Sequence, residues 1–198
     1  MIITVASFKG GVGKTTTAIH LAAFLQGYGA TLLIDADPNR SALAWAGRGE
    51  LPLEVMDEWQ TGDRAQTYSH VVIDTPARPD PEDLALLVEG CDLLVLPTTP
   101  DILALDALVM MIDHLYRLGV RNYRILLTVV PPYPSRAGAE VRTLLNSAHL
   151  PVFQTGIRRY AVYQKAAQQG QVVYAVKDPK AEMAWRDYQA LGRELLNQ

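Results

Sequence analysis

The chain of 198 residues contains a single cysteine, Cys91. One thiol builds no disulfide framework, no cysteine zinc site and no iron–sulfur cluster held by one chain. Cys91 opens the apolar run Cys91-Asp92-Leu93-Leu94-Val95, which predicts a small apolar residue at a strand start. Long apolar runs are missing too, and none approaches the ~18–20 residues that span a bilayer. Neither sign of charge dominates: 18 Lys and Arg stand against 21 Asp and Glu, a net charge of −3. No global basic field draws the chain to nucleic acid or membrane, so any such binding must come from a local patch. Internal repeats, low-complexity segments and linker-like stretches are absent as well. The 49% apolar and 20% charged residues fit an ordinary soluble domain, and the length predicts one domain over residues 1–198. The N-terminus enters an apolar stretch at once, which predicts no signal peptide and a cytoplasmic protein.

Glycine, in contrast, is concentrated in Phe8-Lys9-Gly10-Gly11-Val12-Gly13-Lys14-Thr15-Thr16. This is a phosphate-binding loop of the form G-x-x-x-x-G-K-[ST], but Phe8 stands where the opening glycine belongs. The glycines let backbone N–H groups approach phosphate oxygens. Lys14 brings a point charge to the β- and γ-phosphates, and the Thr15 hydroxyl suits Mg²⁺. Ile2 to Ala6 reads as a buried strand before the loop, and Thr16 to Leu25 as a helix after it. The helix aims its positive end at the anion.

Strands are predicted at Thr31–Asp35, Val71–Asp74, Asp92–Pro97 and Tyr123–Val130, with a short one at Val152–Phe153. Helices are predicted at Ser41–Ala46, Pro81–Glu89, Leu103–Leu118, Arg136–Ala148, about Tyr160–Gln169 and about Lys180–Leu196. Trp59 to Ser69 reads as a polar surface connection. Continuously apolar strands mean that both sheet faces are covered. The fold class is α/β: a doubly wound, mainly parallel sheet with helices on both faces and its ligand at the carboxyl ends of the strands. Three aspartates fall at those ends. Asp74 fits a role in supporting Mg²⁺ through water, and Asp37 in orienting water at the γ-phosphate. Asp35 is a further candidate near the metal.

With these residues in place, the chain resembles the deviant Walker A ATPases of the ParA/MinD superfamily. The resemblance lies in Lys9 to Thr16, in Asp35-Ala36-Asp37-Pro38 and in Val72-Ile73-Asp74-Thr75-Pro76, and it spans nearly the whole chain. Trp45 and the run Val152 to Tyr163 look most like the small ParF-type partition ATPases, which lack an N-terminal DNA-reading domain. Carboxysome-positioning ATPases are in the same neighbourhood. The resemblance implies ATP/ADP and Mg²⁺ as cofactors and slow ATP hydrolysis. It implies an ATP-dependent homodimer that binds DNA without sequence preference, so that the ATP state is nucleoid-associated. It also implies a cargo adaptor, ParB- or ParG-like, that stimulates turnover. Lys9 becomes the signature lysine, reaching the nucleotide held by the partner chain. Catalysis is then assigned to Lys9, Lys14 and Asp37. Nucleotide contacts are assigned to Lys9, Gly10, Gly11, Val12, Gly13, Lys14, Thr15 and Thr16, and metal support to Thr15, Asp35 and Asp74.

The family's adenine contacts map to Thr128 and Pro131 in this chain. Thr75-Pro76-Ala77 departs from the glycine that often follows the third-strand aspartate, which leaves the γ-phosphate donor there unassigned. A candidate DNA patch gathers Arg158, Arg159, Lys165, Lys177, Lys180 and Arg186. The last helix places Met183, Ala184, Tyr188, Leu191 and Leu195 on one stripe. Its other face mixes charges instead of being basic, which favours docking on the sheet over a membrane anchor. A membrane-cycling regulator of the MinD kind and a small ATP-dependent metabolic ligase remain the alternatives. The cargo leaves no legible motif.

Overall fold

The computed structural model describes residues 1–197. In chain order the elements are β1 (Ile2–Ser7), α1 (Lys14–Leu25), β2 (Thr31–Asp35), α2 (Ser41–Ala46), β3 (Glu54–Asp57) and α3 (Glu58–Thr61). A 3₁₀ segment, Gly62–Thr67, leads to β4 (His70–Ala77), α4 (Pro81–Glu89), β5 (Leu93–Thr98), α5 (Ile102–Arg117), β6 (Tyr123–Leu127) and α6 (Ala137–Ser147). The chain closes with α7 (Val162–Gln169), a 3₁₀ turn at Val173–Ala175, and α8 (Ala181–Leu196). The six strands run parallel in the order β3-β2-β4-β1-β5-β6. The expected doubly wound α/β sheet is therefore present.

Alternate strand residues serve two cores, as the period of two requires. Ile3, Val5, Leu33, Val72, Val95 and Leu126 face the layer of α1, α2, α7 and α8. Leu94, Leu96, Ile125 and Leu127 face Leu84 of α4, Leu108 and Met111 of α5 and Val141 of α6. Helix α1 is buried on almost every side, so it reads as apolar all round instead of as one stripe. Helix α8 buries Ala184, Tyr188, Leu191 and Leu195, while Met183 lies at the edge of that stripe and is 37% exposed. Among the described residues no helix is long and apolar enough to cross a membrane. Cys91 is buried just before β5, as its surroundings predict.

Several expected elements differ. β3 is absent from the sequence reading: it has four residues with acidic ends and pairs only with β2. Val152 makes a single bridge to Ile125 instead of a strand. β6 stops at Leu127, because the chain turns at Val129, whose φ is 50°. The connection Trp59–Ser69 contains part of α3 and the 3₁₀ segment.

His20 ties the helices of the first layer together. Its ring is fully buried, stacks on Tyr188 with centroids 4.7 Å apart, and meets Trp45 and Tyr163 edge-on. The Val173 N–H lies 3.1 Å from Nε2 and can only donate, so Nε2 accepts. Nδ1 then carries the proton and donates to the Thr16 carbonyl at 2.7 Å. Burial favours this neutral ring and pushes its pKa down from 6.5 to about 4. A depressed histidine contributes stability that is complete above the unfolded pKa and is lost as pH falls from 6.5 towards 4. Urea unfolding should therefore show about 2 kcal/mol less stability from this group at pH 5 than at pH 7. His20→Gln should flatten that slope, and an unchanged slope would show that the ring does not titrate on unfolding.

Candidate nucleotide site

The loop between β1 and α1 starts from an aromatic anchor. Phe8 is 8% exposed and packs edge-on against His114 of α5, with centroids 5.1 Å apart. The side chain that replaces the expected glycine thus fixes the loop's start in the second core. Gly11 and Gly13 have φ of 78° and 82°, the left-handed region that favours glycine. Gly13 caps α1 with no side-chain hydrogen bond, and the first turn of α1 carries no acidic residue. Its leading N–H groups are left for an external anion. The Thr128 hydroxyl sits between the carbonyls of Val12 at 2.8 Å and Thr98 at 3.1 Å, and shares its proton between them. It braces the loop against the ends of β5 and β6.

Charge is held unusually dry beside this loop. Lys14 is 7% exposed, and burial lowers its pKa against the pull of Asp74 and Asp37. Asp74 is fully buried and neither carboxylate oxygen has a hydrogen-bond partner. Burial pushes Asp74 up to about 7; the Thr15 hydroxyl and Lys14 oppose this, and Asp35 and Asp37 add to it. An orphaned carboxylate next to a threonine hydroxyl fits a hard divalent cation. Among the described residues no three acidic, histidine or cysteine side chains converge into a metal cage. Mg²⁺ would thus be held by Thr15 and, through water, by Asp74, with nucleotide oxygens completing the shell. When bound, it would neutralise phosphate charge.

Asp35 has a different job from the expected metal support. Its Oδ1 accepts the Asp37 N–H at 3.2 Å and its Oδ2 accepts the Leu43 N–H at 2.9 Å. Both oxygens are used to order the loop and to cap the first turn of α2. Asp37 is 9% exposed, and its Oδ1 accepts the Asn39 backbone N–H and side-chain amide, each at 2.9 Å.

Two cavities share the walls Gly11, Gly13 and Thr16. One, of about 560 Å³, is bordered by Gly10, Lys14, Thr15, Asp37 and Arg48. The other, of about 310 Å³, is bordered by Thr128, Val129, Arg158, Arg159, Tyr160 and Tyr163. A polar half and an aromatic half on either side of a glycine loop match the two ends of a nucleotide. Thr128, expected at the adenine, borders the second cavity. Pro131, the other residue expected at the adenine, borders neither cavity. The sequence reading missed Ile157 to Ala161 and Arg48 as wall residues. The run containing Ile157 to Ala161 carried the family resemblance, but nothing in it pointed to a wall; Arg48 left no signal.

Lys9 does not border either cavity; its Nζ lies 2.8 Å from Asp101 Oδ1. The expected DNA patch is divided. Arg158 forks onto buried Asp187 at 2.6 and 3.1 Å and borders the smaller cavity, so its guanidinium is already engaged within the chain. Lys165 pairs with Asp178, and Arg186 with Glu182. Among the described residues Arg159, Lys177 and Lys180 make no ion pair.

The family model of the CobQ/CobB/MinD/ParA nucleotide-binding domain matches residues 3–173. The chain belongs to this family. The "Maintenance of carboxysome distribution protein A" of Gloeobacter kilaueensis is 36% identical over 201 residues, covering 98% of this chain and 93% of that protein. The solved structure of a plasmid partition protein from Borrelia burgdorferi bound to AMPPNP superposes with a TM-score of 0.79 at 18% identity, over 99% of this chain and 98% of that one. The MinD of a MinC:MinD cell division complex from Aquifex aeolicus gives 0.78 at 20% identity, over 100% and 96%. These likenesses show the P-loop fold, and the family that the chain belongs to is a nucleotide-binding one.

Asp74 works against folding as long as the site has no cation. Its raised pKa favours the protonated form in the fold, so stability is complete below about 3.8 and is lost as pH rises through about 7. Asp74→Asn should therefore stabilise the nucleotide-free protein at pH 8 by about 1–3 kcal/mol. The same change should lower the Mg²⁺ dependence of nucleotide affinity. Thermal unfolding with and without Mg²⁺-nucleotide checks both, and a destabilised free variant would contradict the assignment.

Proposed function

We propose that the chain is an ATP-hydrolysing positioning switch that works as a nucleotide-dependent homodimer. Lys9 is the observation that carries this reading. A second lysine on the phosphate loop lies outside both cavities of its own chain, and its side chain is 30% exposed. The reaction is ATP and water to ADP and phosphate. Phosphoryl transfer is accelerated mainly by positioning and by positive charge on the phosphates. Lys14 supplies that charge from within the chain, and Lys9 supplies it from the partner. Asp37 orients the attacking water; its Oδ1 is occupied by Asn39, which fixes the carboxylate. Tying the last cation to a second chain makes ATP a switch, because hydrolysis removes the γ-phosphate that the dimer encloses.

The ATP state binds DNA without sequence preference and is nucleoid-associated, and a cargo adaptor stimulates hydrolysis. Arg159, Lys177 and Lys180 are the cations left for phosphates, and a dimer doubles them. The relative named for carboxysome distribution supports cargo positioning, and the fold likeness to a plasmid partition protein agrees with it. The membrane-cycling alternative is disfavoured because α8 spends its apolar stripe on the core.

DNA binding should appear with ATP and fall at least tenfold with ADP or no nucleotide, measured by fluorescence anisotropy on duplexes of unrelated sequence. Equal or absent binding in all three states would sink the DNA reading. Lys9→Ala and Asp37→Ala should each lower adaptor-stimulated turnover about 100-fold while ATP still binds. Wild-type turnover in Lys9→Ala would refute the cross-chain role.

A further inference from the structure

Lys9 is held by its own chain in an ordered way. Asp101 stands at the exit of β5, and its Oδ1 accepts both Lys9 Nζ at 2.8 Å and the Ala104 N–H at 3.0 Å. The Thr99 hydroxyl donates to its Oδ2. The carboxylate is thereby fixed as the cap of α5. Around Lys9 the main chain is fixed as well. Its N–H donates to Ser7 Oγ at 3.1 Å, and Arg78 Nε donates to the Phe8 carbonyl at 2.9 Å. Phe8 is anchored in the core. Only the Lys9 side chain is left to swing.

We propose that Asp101 is a positioning residue that parks Lys9 in its own chain, and that the ATP-bound dimer forms by transferring this cation from Asp101 to the partner's phosphates. The inference rests on the cross-chain reading of Lys9. One ammonium cannot serve a carboxylate fixed on α5 and a phosphate across the interface at once, so the two sites compete. The side chains of Lys9 and Asp101 are 30% and 48% exposed. A pair this exposed shifts an equilibrium by about 1.4- to 5-fold. A two-fold dimer breaks two such pairs, so parking weakens dimerisation by roughly 2- to 30-fold. Parking therefore works as a threshold that ATP and a second chain overcome together. Asp101 is held ionised, well below the usual carboxylate range, by Lys9 first and Thr99 second. The contact thus persists at neutral pH.

Asp101→Asn isolates the charge, since asparagine caps a helix as well as aspartate does. Two measurements use the whole chain. In the nucleotide-free protein, labelling of Lys9 by an amine-reactive ester, read by mass spectrometry, should rise about 1.4- to 5-fold in Asp101→Asn. Unchanged labelling overturns the parking. In sedimentation with a non-hydrolysable ATP analogue, Asp101→Asn should dimerise at a roughly 2- to 30-fold lower concentration than wild type. The double variant Lys9→Ala/Asp101→Asn should match Lys9→Ala alone, because Asp101 acts through Lys9. Equal or weaker dimerisation of Asp101→Asn overturns the competition, as does an Asp101→Asn effect that persists without Lys9. A wild type that stays monomeric with the analogue overturns the dimer reading itself, and the labelling result separates that failure from a failure of parking.

Discussion

Asp74 lies within β4, a strand paired on both sides; it is fully buried and has no hydrogen bond to either oxygen. Lys14, the nearest cation, is itself desolvated. A stable fold gains nothing from such an arrangement, since a buried carboxylate is costly unless it is paired and hydrogen-bonded. The surrounding structure supports it all the same. β2, β4 and β1 are side by side in the sheet, which brings Asp35, Asp74 and the loop to one edge. Asp35, which could share the same cation, is instead turned to the backbone of α2. The result is one unsatisfied acid beside one helix N-terminus, an arrangement that a magnesium nucleotide would complete from both sides.

Holding that arrangement requires a rigid base. Helix α1 carries the loop, and His20, one turn beyond Thr16, joins it to α2, α7 and α8 through rings and to the 3₁₀ turn through the Val173 N–H. The Tyr188 hydroxyl lies 3.3 Å from the Thr17 hydroxyl, and the same Tyr188 borders the base cavity. The base side and the phosphate side are thus braced by the same aromatic group.

What could be read in the sequence was what is local in it. The loop, α2 and β2 are continuous patterns bounded by Gly, Pro or Asp, and their chemistry follows from spacing. Asp74 was legible as a site residue because an apolar run points it at the loop. β3 was not, since four residues with acidic ends carry no period that outweighs a turn. Two charged residues have partners that their local pattern does not announce. Asp35 looked like a metal residue until Leu43 was brought within reach of it. Arg158 looked like a free cation until α8 placed Asp187 beside it. Side-chain partners far apart in the chain decide whether a charge is available, and composition cannot show them.

The same logic explains Phe8. A glycine at that position would leave the start of the loop mobile, which suits a site complete within one chain. Phe8 instead gives the loop a fixed point in the core, and Arg78 holds its carbonyl. Arg78 adopts φ of 58° to do so, a conformation that costs a non-glycine residue energy. Fixing the backbone leaves Lys9 with side-chain freedom alone, so its choice of partner becomes a contest between two anions and not a rearrangement of the loop. A loop built to bind phosphate by itself has no need of that constraint. A loop that presents a cation to another chain, as proposed for Lys9, would need it.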